Sequence, residues 1–254
     1  MFLKKKIFVL LLAILPVLSF AQDIDVGDVE WRKVIVKEWN VDFFLNTNGG
    51  GIGFQQGRTP NYFDKHFWEI DFVYNVHHKA VRARNPYFAD ARGFAYGKLC
   101  DLFFLHGGYG YQRTIHQKPY WGGVRIRYTL SGGLSLGLAM PVYLNIATYD
   151  YTGLMDGKRV ERYDPDKHKI EDIIGRASFF QGIGKTSLHP GYYFKTGFLF
   201  DFSKDEYTIH ALEIGATVDM VFPFVQQMAF VKAKPCFIGA YIAYNFGKRK
   251  GNHE

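Results

Sequence analysis

Cysteine is nearly absent from this chain: Cys100 and Cys236 are the only two in 254 residues. They stand far apart, with neither a CxxC nor a metal-ligand spacing, so neither a disulfide framework nor a zinc site underlies the fold. Both fall in candidate strands, where buried or lipid-facing thiols are expected; one disulfide between them is the alternative. Long apolar runs are also missing. Beyond residue 21 no stretch of about 18 apolar residues occurs, which excludes transmembrane helices. Positive charge is in small excess. The formal charge of +7 falls to +4 once Lys4, Lys5 and Lys6 are removed with the leading segment, and export of the chain argues against a nucleic-acid partner. No motif implies a cofactor.

What the chain does have begins at its start. Lys4 to Lys6 form a basic n-region, Ile7 to Leu18 an apolar stretch, and Ser19-Phe20-Ala21 a small-x-small cleavage site, the three parts of a secretory signal. Residues 1–21 are therefore expected to be removed, leaving 22–254 as one domain. A retained anchor fits less well, because the apolar stretch is shorter than the roughly 20 residues a spanning helix needs and Pro16 interrupts it. No cysteine follows the cleavage site, so a lipoprotein is not expected.

The mature chain alternates. Trp39, Val41, Phe43 and Leu45 share one parity against Glu38, Asn40, Asp42 and Asn46. Trp68, Ile70, Phe72, Tyr74 and Val76 oppose Glu69, Asp71, Asn75, His77 and Lys79. The same dyad runs through Val124–Leu130, Leu134–Ile146, Tyr192–Phe202, Leu212–Phe222 and Ile238–Phe246. Such alternation marks strands with one apolar face. It suits either a soluble sandwich with that face inside or a membrane barrel with that face outside. The second face decides between them: it carries Gly, Ala, Ser, Asn and isolated charges of both signs rather than the long mobile charges of a water-facing surface. The apolar face is rich in aromatics, with 24 Phe and 17 Tyr in the chain, as interfacial girdles require. Lipid leaves no partner for an open edge, so the strands must close into a ring.

The expected fold is all-β: a closed antiparallel up-and-down transmembrane β-barrel of eight or ten strands in the outer membrane of a Gram-negative bacterium. Nine candidate strands fall near 34–46, 50–58, 66–79, 96–114, 120–131, 133–147, 190–203, 206–222 and 235–247. Single-chain bacterial barrels have an even count, so either 50–58 merges with its neighbour or a tenth strand lies in 170–186. Asp101 shares a parity with Phe103, Leu105 and Tyr109, which suggests a bulge or a lumen-facing shift. Gly132-Gly133 and Ser203–Asp205 are expected as tight hairpin turns. Residues 80–95 and 148–189 form long connections, and "IIGRASFFQGIG" suits a short helix against the barrel mouth.

Four segments, "YGKLCDLFFLHGGYGYQ", "GGLSLGLAMPVYL", "SFFQGIGKTSLHPGYYFKTGFLFDFS" and "ALEIGATVDMVF", together resemble an uncharacterised family of small outer-membrane β-barrel proteins of Bacteroidota. The "FAQ" end of the signal is similar too. The resemblance covers most of residues 35–249 and implies architecture but no activity. The tail "GKRKGNHE" after Phe246 departs from barrels that end on an aromatic residue.

Three groups of residues are candidates for chemistry. Glu38, Asp42, Glu69, Asp71, Arg125, Arg127, Lys195, Asp201, Glu213 and Asp219 would share the interior, either as a plug of ion pairs in a narrow barrel or, with ten strands, as a polar conduit. Lys79, Arg82 and Arg84 suit either a solvated loop, the favoured reading, or a contact with phosphates of outer-membrane lipid such as lipopolysaccharide. His77 and His78 are neighbours on a strand, would point to opposite faces and would make a poor chelate. Ser178, Ser187, His189 and His210, with Asp205 and Glu206, supply the residue types of a lipid-modifying acyl hydrolase or transferase, but no nucleophile elbow is present. The non-catalytic reading is favoured, a structural, binding or accessory barrel; a protein that docks through 148–189 on another outer-membrane complex is a third class.

Overall fold

The computed structural model describes residues 35–61, 63–88, 91–117, 123–150, 152, 155–205 and 207–251; the signal segment 1–21 and Glu206 lie outside them. In chain order the strands are β1 (Ile35–Asn46), β2 (Gly49–Arg58), β3 (Asp64–Asn75), β4 (Arg82–Ala83), β5 (Phe94–Ala95), β6 (Cys100–His116), β7 (Arg125–Pro141), β8 (Tyr143–Tyr149), β9 (Met155–Arg162), β10 (Ile173–Arg176), β11 (Ser187–Asp201), β12 (Thr208–Val225) and β13 (Lys234–Gly251). Eight of them close into one barrel in the order β1-β13-β12-β11-β7-β6-β3-β2, each antiparallel to its neighbours. The remaining strands belong to the two longest connections.

The alternation sets which way each side chain points. Glu38, Asn40, Asp42 and Phe44 of β1 are buried, whereas Trp39, Phe43 and Leu45 are exposed. Around the outside stand Trp68, Ile70, Leu134, Tyr192, Phe194, Ile238 and Ile242, all at least 45% exposed. A ring of Trp, Phe, Tyr, Ile and Leu turned outward around a polar, buried inside is the reverse of a water-soluble protein and is the arrangement of an outer-membrane β-barrel. Closure leaves no strand edge to be satisfied by lipid.

The ends of the barrel differ. Connections 59–63, 117–124 and 202–207 are short and share an end with Ile35 and Gly251, which pair with each other. The opposite end carries the tight β1–β2 turn at Thr47 and Asn48, residues 226–233, and the two long connections 76–99 and 142–186. Short periplasmic turns and long external loops are the rule in such barrels, which puts the 142–186 end outside the cell.

The strand count is eight, and the extra candidate had a different origin from the two expected. Segment 50–58 is a strand of its own, while the candidates at 120–131 and 133–147 share one continuous barrel strand, β7, and the end of the second passes into β8. Gly132-Gly133 is not a turn: Gly132 pairs with Tyr109 and Phe194, and Gly133 with Gly108 and Tyr193. A side chain on Gly133 would come within 2.3 Å of the Gly107 carbonyl, so glycine serves a close strand approach there. Residues 170–186 supply no barrel strand; β10 pairs with β8 outside the ring. Segment 96–114 keeps its outward parity at Asp101, and the irregularity in β6 falls between Thr114 and His116 instead. Strand β13 runs to Gly251 and carries most of the basic tail into the barrel wall.

The Leu134–Ile146 stripe divides. Leu134 is 66% exposed towards lipid, but Met140, Val142, Leu144 and Ile146 are buried. At Pro141 the chain leaves the barrel, and Val142, Leu144 and Ile146 pack with Phe94, Tyr163, Ile173 and the partly buried Leu99 into a separate core. This core belongs to a cap on the external rim, built from the three-stranded sheet β10-β8-β9 and the β4-β5 pair. A 3-10 helix, Phe179–Lys185, closes the segment against the barrel: Gly182 lies on Met140 and Pro141, and Phe179 meets Phe103 edge-on at 6.0 Å.

Candidate functional site: barrel interior and rim cap

The interior is layered along the barrel axis. Near the short-turn end, Glu38 takes contacts from Lys65 at 2.9 Å, Arg127 at 3.3 Å and Arg249 at 3.2 Å, and Arg249 also bonds Asp201. Arg125 stands opposite Asp201 at this rim. One level up, the Asn40 amide donates to Gln55 at 3.3 Å. The third level gathers Asp42, Glu69, Asp71 and Glu213 around one cation. Lys195 Nζ lies 2.9 Å from Asp71 and 3.4 Å from Glu69; the Tyr193 hydroxyl donates to Glu69 at 2.7 Å, and the Tyr241 hydroxyl to Glu213 at 2.6 Å. Above it, His106 stacks on Tyr193 at 4.3 Å with its Nε2 2.7 Å from Asp219.

The outer part of the lumen is not ionic. Phe44, Val73, Leu102, Phe104, Ala139, Val221, Phe237 and Ala243 point inward and form one apolar cluster. Rings fill the lower half as well: a side chain on Gly108 would fall 2.2 Å from the Tyr193 hydroxyl, and one on Gly110 2.2 Å from the Phe67 ring. The expectation of a lumen filled by charge is thus corrected to a charged half under an apolar plug. Eight strands leave an interior just wide enough for side chains to fill.

The candidate residues omit two cations of this network, Lys65 and Arg249, as well as His106, Tyr193 and Tyr241. The two cations had a legible signal, since Lys65 continues the Glu69–Asp71 parity two pleat repeats earlier and Arg249 continues the Ala243–Asn245 parity beyond Phe246. Strand β3 begins at Asp64 and β13 ends at Gly251, beyond the expected limits of 66 and 247.

At the external rim Asp101 is held by Lys98 at 2.6 Å, by the Tyr74 hydroxyl at 3.1 Å and by Arg176 of the cap. Asn85 ties the first long connection to the second: its side-chain amide meets the carbonyls of Ile170, Glu171 and Ile173 at 3.2, 3.0 and 2.9 Å. The His168 ring accepts the Asp164 N–H at Nδ1, so its other nitrogen donates to Glu161 at 3.0 Å. That hydrogen bond holds the Glu161 carboxyl below its ordinary value, and the Asp166 N–H does the same for Asp164. Beside them opens a cleft of about 990 Å³ lined by Tyr143, Tyr149, Arg159, Arg162, Lys167 and Lys185, among others.

Lys79, Arg82 and Arg84 all lie exposed on the first long connection at this rim. His77 and His78 do not point apart. Strand β3 ends at Asn75, the pleat stops there, and the two rings stack at 4.5 Å, a face-to-face contact that chelates nothing; burial pushes His77 below its ordinary value. The Ser, His and acid candidates scatter. Asp205 is at the short-turn end, Ser178 precedes the 3-10 helix, and His210 bonds Tyr244 on the outer face at 3.1 Å. Ser187 and His189 do meet: the serine hydroxyl donates to Nε2 at 3.1 Å, while Nδ1–H donates to the Pro223 carbonyl at 2.8 Å, with no carboxylate behind it. Both cysteines are free thiols. Among the described residues, no three His, Cys, Asp or Glu side chains converge to hold a metal ion.

No protein-family model matches the chain. No curated protein matches it either. Among solved structures it is similar to Ail, the attachment invasion locus protein of Yersinia pestis, in complex with the heparin analogue sucrose octasulfate. The TM-score is 0.38 and the identity 8%, over 84% of this chain and 97% of that one. Neisserial surface protein A gives a TM-score of 0.37 and 10% identity, over 84% and 96%.

Proposed function

We propose that this is an outer-membrane barrel that conducts nothing and holds a folded cap at the cell surface, where it binds rather than transports. The observation that carries this reading is the filled lumen, an ionic half beneath the Phe44–Phe104–Phe237 plug, set under a cap with a core of its own. Removal of residues 1–21 as an export signal belongs to the same reading, as does kinship with the small barrels of Bacteroidota; the latter's support is the quoted segments, which supply parts of β6, β7, β11 and β12. Planar-bilayer recording of the purified protein is the test: silence is expected, and discrete conductance steps would replace the proposal with a narrow porin-like channel.

The exposed Lys79, Arg82 and Arg84 are the proposed contact with phosphate groups of lipopolysaccharide in the surrounding outer leaflet, since guanidinium groups pair with phosphate through two hydrogen bonds. Their joint replacement by Gln should lower retention by lipopolysaccharide-containing liposomes and leave folding intact. Docking on another outer-membrane complex through the cap is tested by mild-detergent extraction and mass spectrometry; recovery of the protein alone rejects it. The Ser187–His189 contact favours one second reading, an acyl hydrolase or transferase acting on lipid A or phospholipid. An acyl product formed by the wild type and lost in His189→Ala would establish it.

A further inference from the structure

The third level of the lumen holds four carboxyl groups, Asp42, Glu69, Asp71 and Glu213, against one cation, Lys195, and every one of the five is less than a tenth exposed. Their oxygens can be followed individually. Glu69 receives the Tyr193 hydroxyl on one oxygen and Lys195 on the other. Glu213 receives Tyr241 on one and the Asn245 amide on the other, at 3.2 Å. Asp42 receives the Asn40 amide on Oδ1 at 2.6 Å, and Asp71 receives Lys195 on Oδ2. Two oxygens remain, Asp42 Oδ2 and Asp71 Oδ1, both buried without a hydrogen-bond partner.

These two oxygens border the same space. In the sheet Asp42 pairs with Gly53 and Gly53 with Asp71, so the three residues stand in a row across β1, β2 and β3. Gly53 has no side chain, and the space a Cβ would fill there lies 2.3 Å from Asp71 Oδ1 and 3.4 Å from Asp42 Oδ2. Two carboxylates do not turn bare oxygens into one dry notch: like charges at that range repel, and each buried acceptor left unpaired costs about 1–3 kcal/mol.

The geometry points to one proton shared by Asp42 and Asp71 across Gly53, so that the two form a hydrogen-bonded acid and carboxylate. Lys195 decides which is which. Its ammonium group sits on Asp71 and keeps the negative charge there, whereas Asp42 has only the neutral Asn40 amide; Asp42 is the acid, and its Oδ2–H donates to Asp71 Oδ1. The other groups around the notch are Gln55 on β2, Glu69 on β3, His106 on β6, Tyr193 on β11, Glu213 and Asp219 on β12, and Tyr241 and Asn245 on β13. Among them no second cation approaches Asp42 in the way Lys195 approaches Asp71. The shared proton ties β1 to β3 over the intervening strand, directly beneath Phe44 and the apolar plug.

Infrared spectroscopy of the folded wild-type barrel in detergent at neutral pH tests this without any substitution. The carbonyl stretch of an un-ionised carboxylic acid is expected, shifted in heavy water and lost in Asp42→Asn. Absence of that band in the wild type, which a bridging water or bound cation would produce, overturns the proposal, and so does its persistence in Asp42→Asn. Denaturant midpoints give a second readout. Asp42→Asn keeps a donor facing Asp71 and should unfold with the wild type, whereas Asp71→Asn strips Lys195 of its nearest carboxylate and should unfold earlier. Equal losses in the two variants would refute the assignment of the acid.

Discussion

Replacing Glu38 by Gln changes one atom type in the barrel and removes the only charge that three cations share. The carboxylate is 2% exposed, with Lys65, Arg127 and Arg249 within 3.3 Å. At an effective dielectric constant near 20, each such contact is worth about 5 kcal/mol in gross Coulomb energy. Most of that offsets the cost of taking the ions out of water, and breaking a buried pair by deleting one partner destabilises by about 3–5 kcal/mol. Lys65 suffers most, because among the described residues its one ion pair is with Glu38, and it is only 4% exposed; Arg249 keeps Asp201. A loss of about 3–5 kcal/mol is therefore expected, a large fraction of an ordinary domain's stability of about 5–15 kcal/mol. Guanidinium titration of detergent-folded protein, followed by tryptophan emission, measures it. Adding Lys65→Met to Glu38→Gln should restore part of the loss, since the stranded ammonium goes too. A single-variant loss below about 1 kcal/mol, or a double variant worse than the single by more than that, would refute the reasoning.

Further outcomes follow from the cap and the lipid belt. Asn85→Ala leaves three carbonyls without their shared donor and should loosen the cap by about 1–3 kcal/mol, seen as faster amide exchange in β10 with the barrel strands unchanged. Glu161 and Asp164 titrate below their ordinary values in the folded cap, so their contribution is present at neutral pH and is lost as acid protonates them; protease cleavage of 142–186 should accelerate below the usual carboxylate range, and Glu161→Gln should flatten that dependence. In a variant without the two native cysteines, a spin label at Leu134→Cys should be relaxed by a lipid-dissolved quencher, and one at Ile146→Cys should not. Gly133→Val should prevent folding, because its Cβ would press on the backbone of Gly107 and Gly108; a folded, heat-modifiable band on gels would contradict the close strand approach.

The barrel was legible because period-two alternation survives in all eight of its strands and because small or ionic residues mark the inner face. What misled was punctuation. Gly132-Gly133 has the composition of a turn, yet the even parity from Val124 to Leu138 passes through it unbroken, and that continuity was the better signal. The cap was hidden for a different reason: Met140, Val142, Leu144 and Ile146 extend a lipid-facing stripe with the same residue types, and the pattern does not say whether hydrocarbon or another sheet meets them. Among the candidate residues, those on barrel strands came together through register, whereas Ser178 is separated from Asp205 and His210 because β11 runs the whole length of the barrel between them.

Because β7 passes into β8 with only Val142 between them, the surface platform is not tethered by slack chain. It stands on a stiff mast rooted in the bilayer, braced by the Asp101–Arg176 contact at its foot. Whatever meets the 159–167 cleft therefore meets it at a fixed height and angle above the lipid, and a pull on the platform is delivered to the wall of the barrel itself.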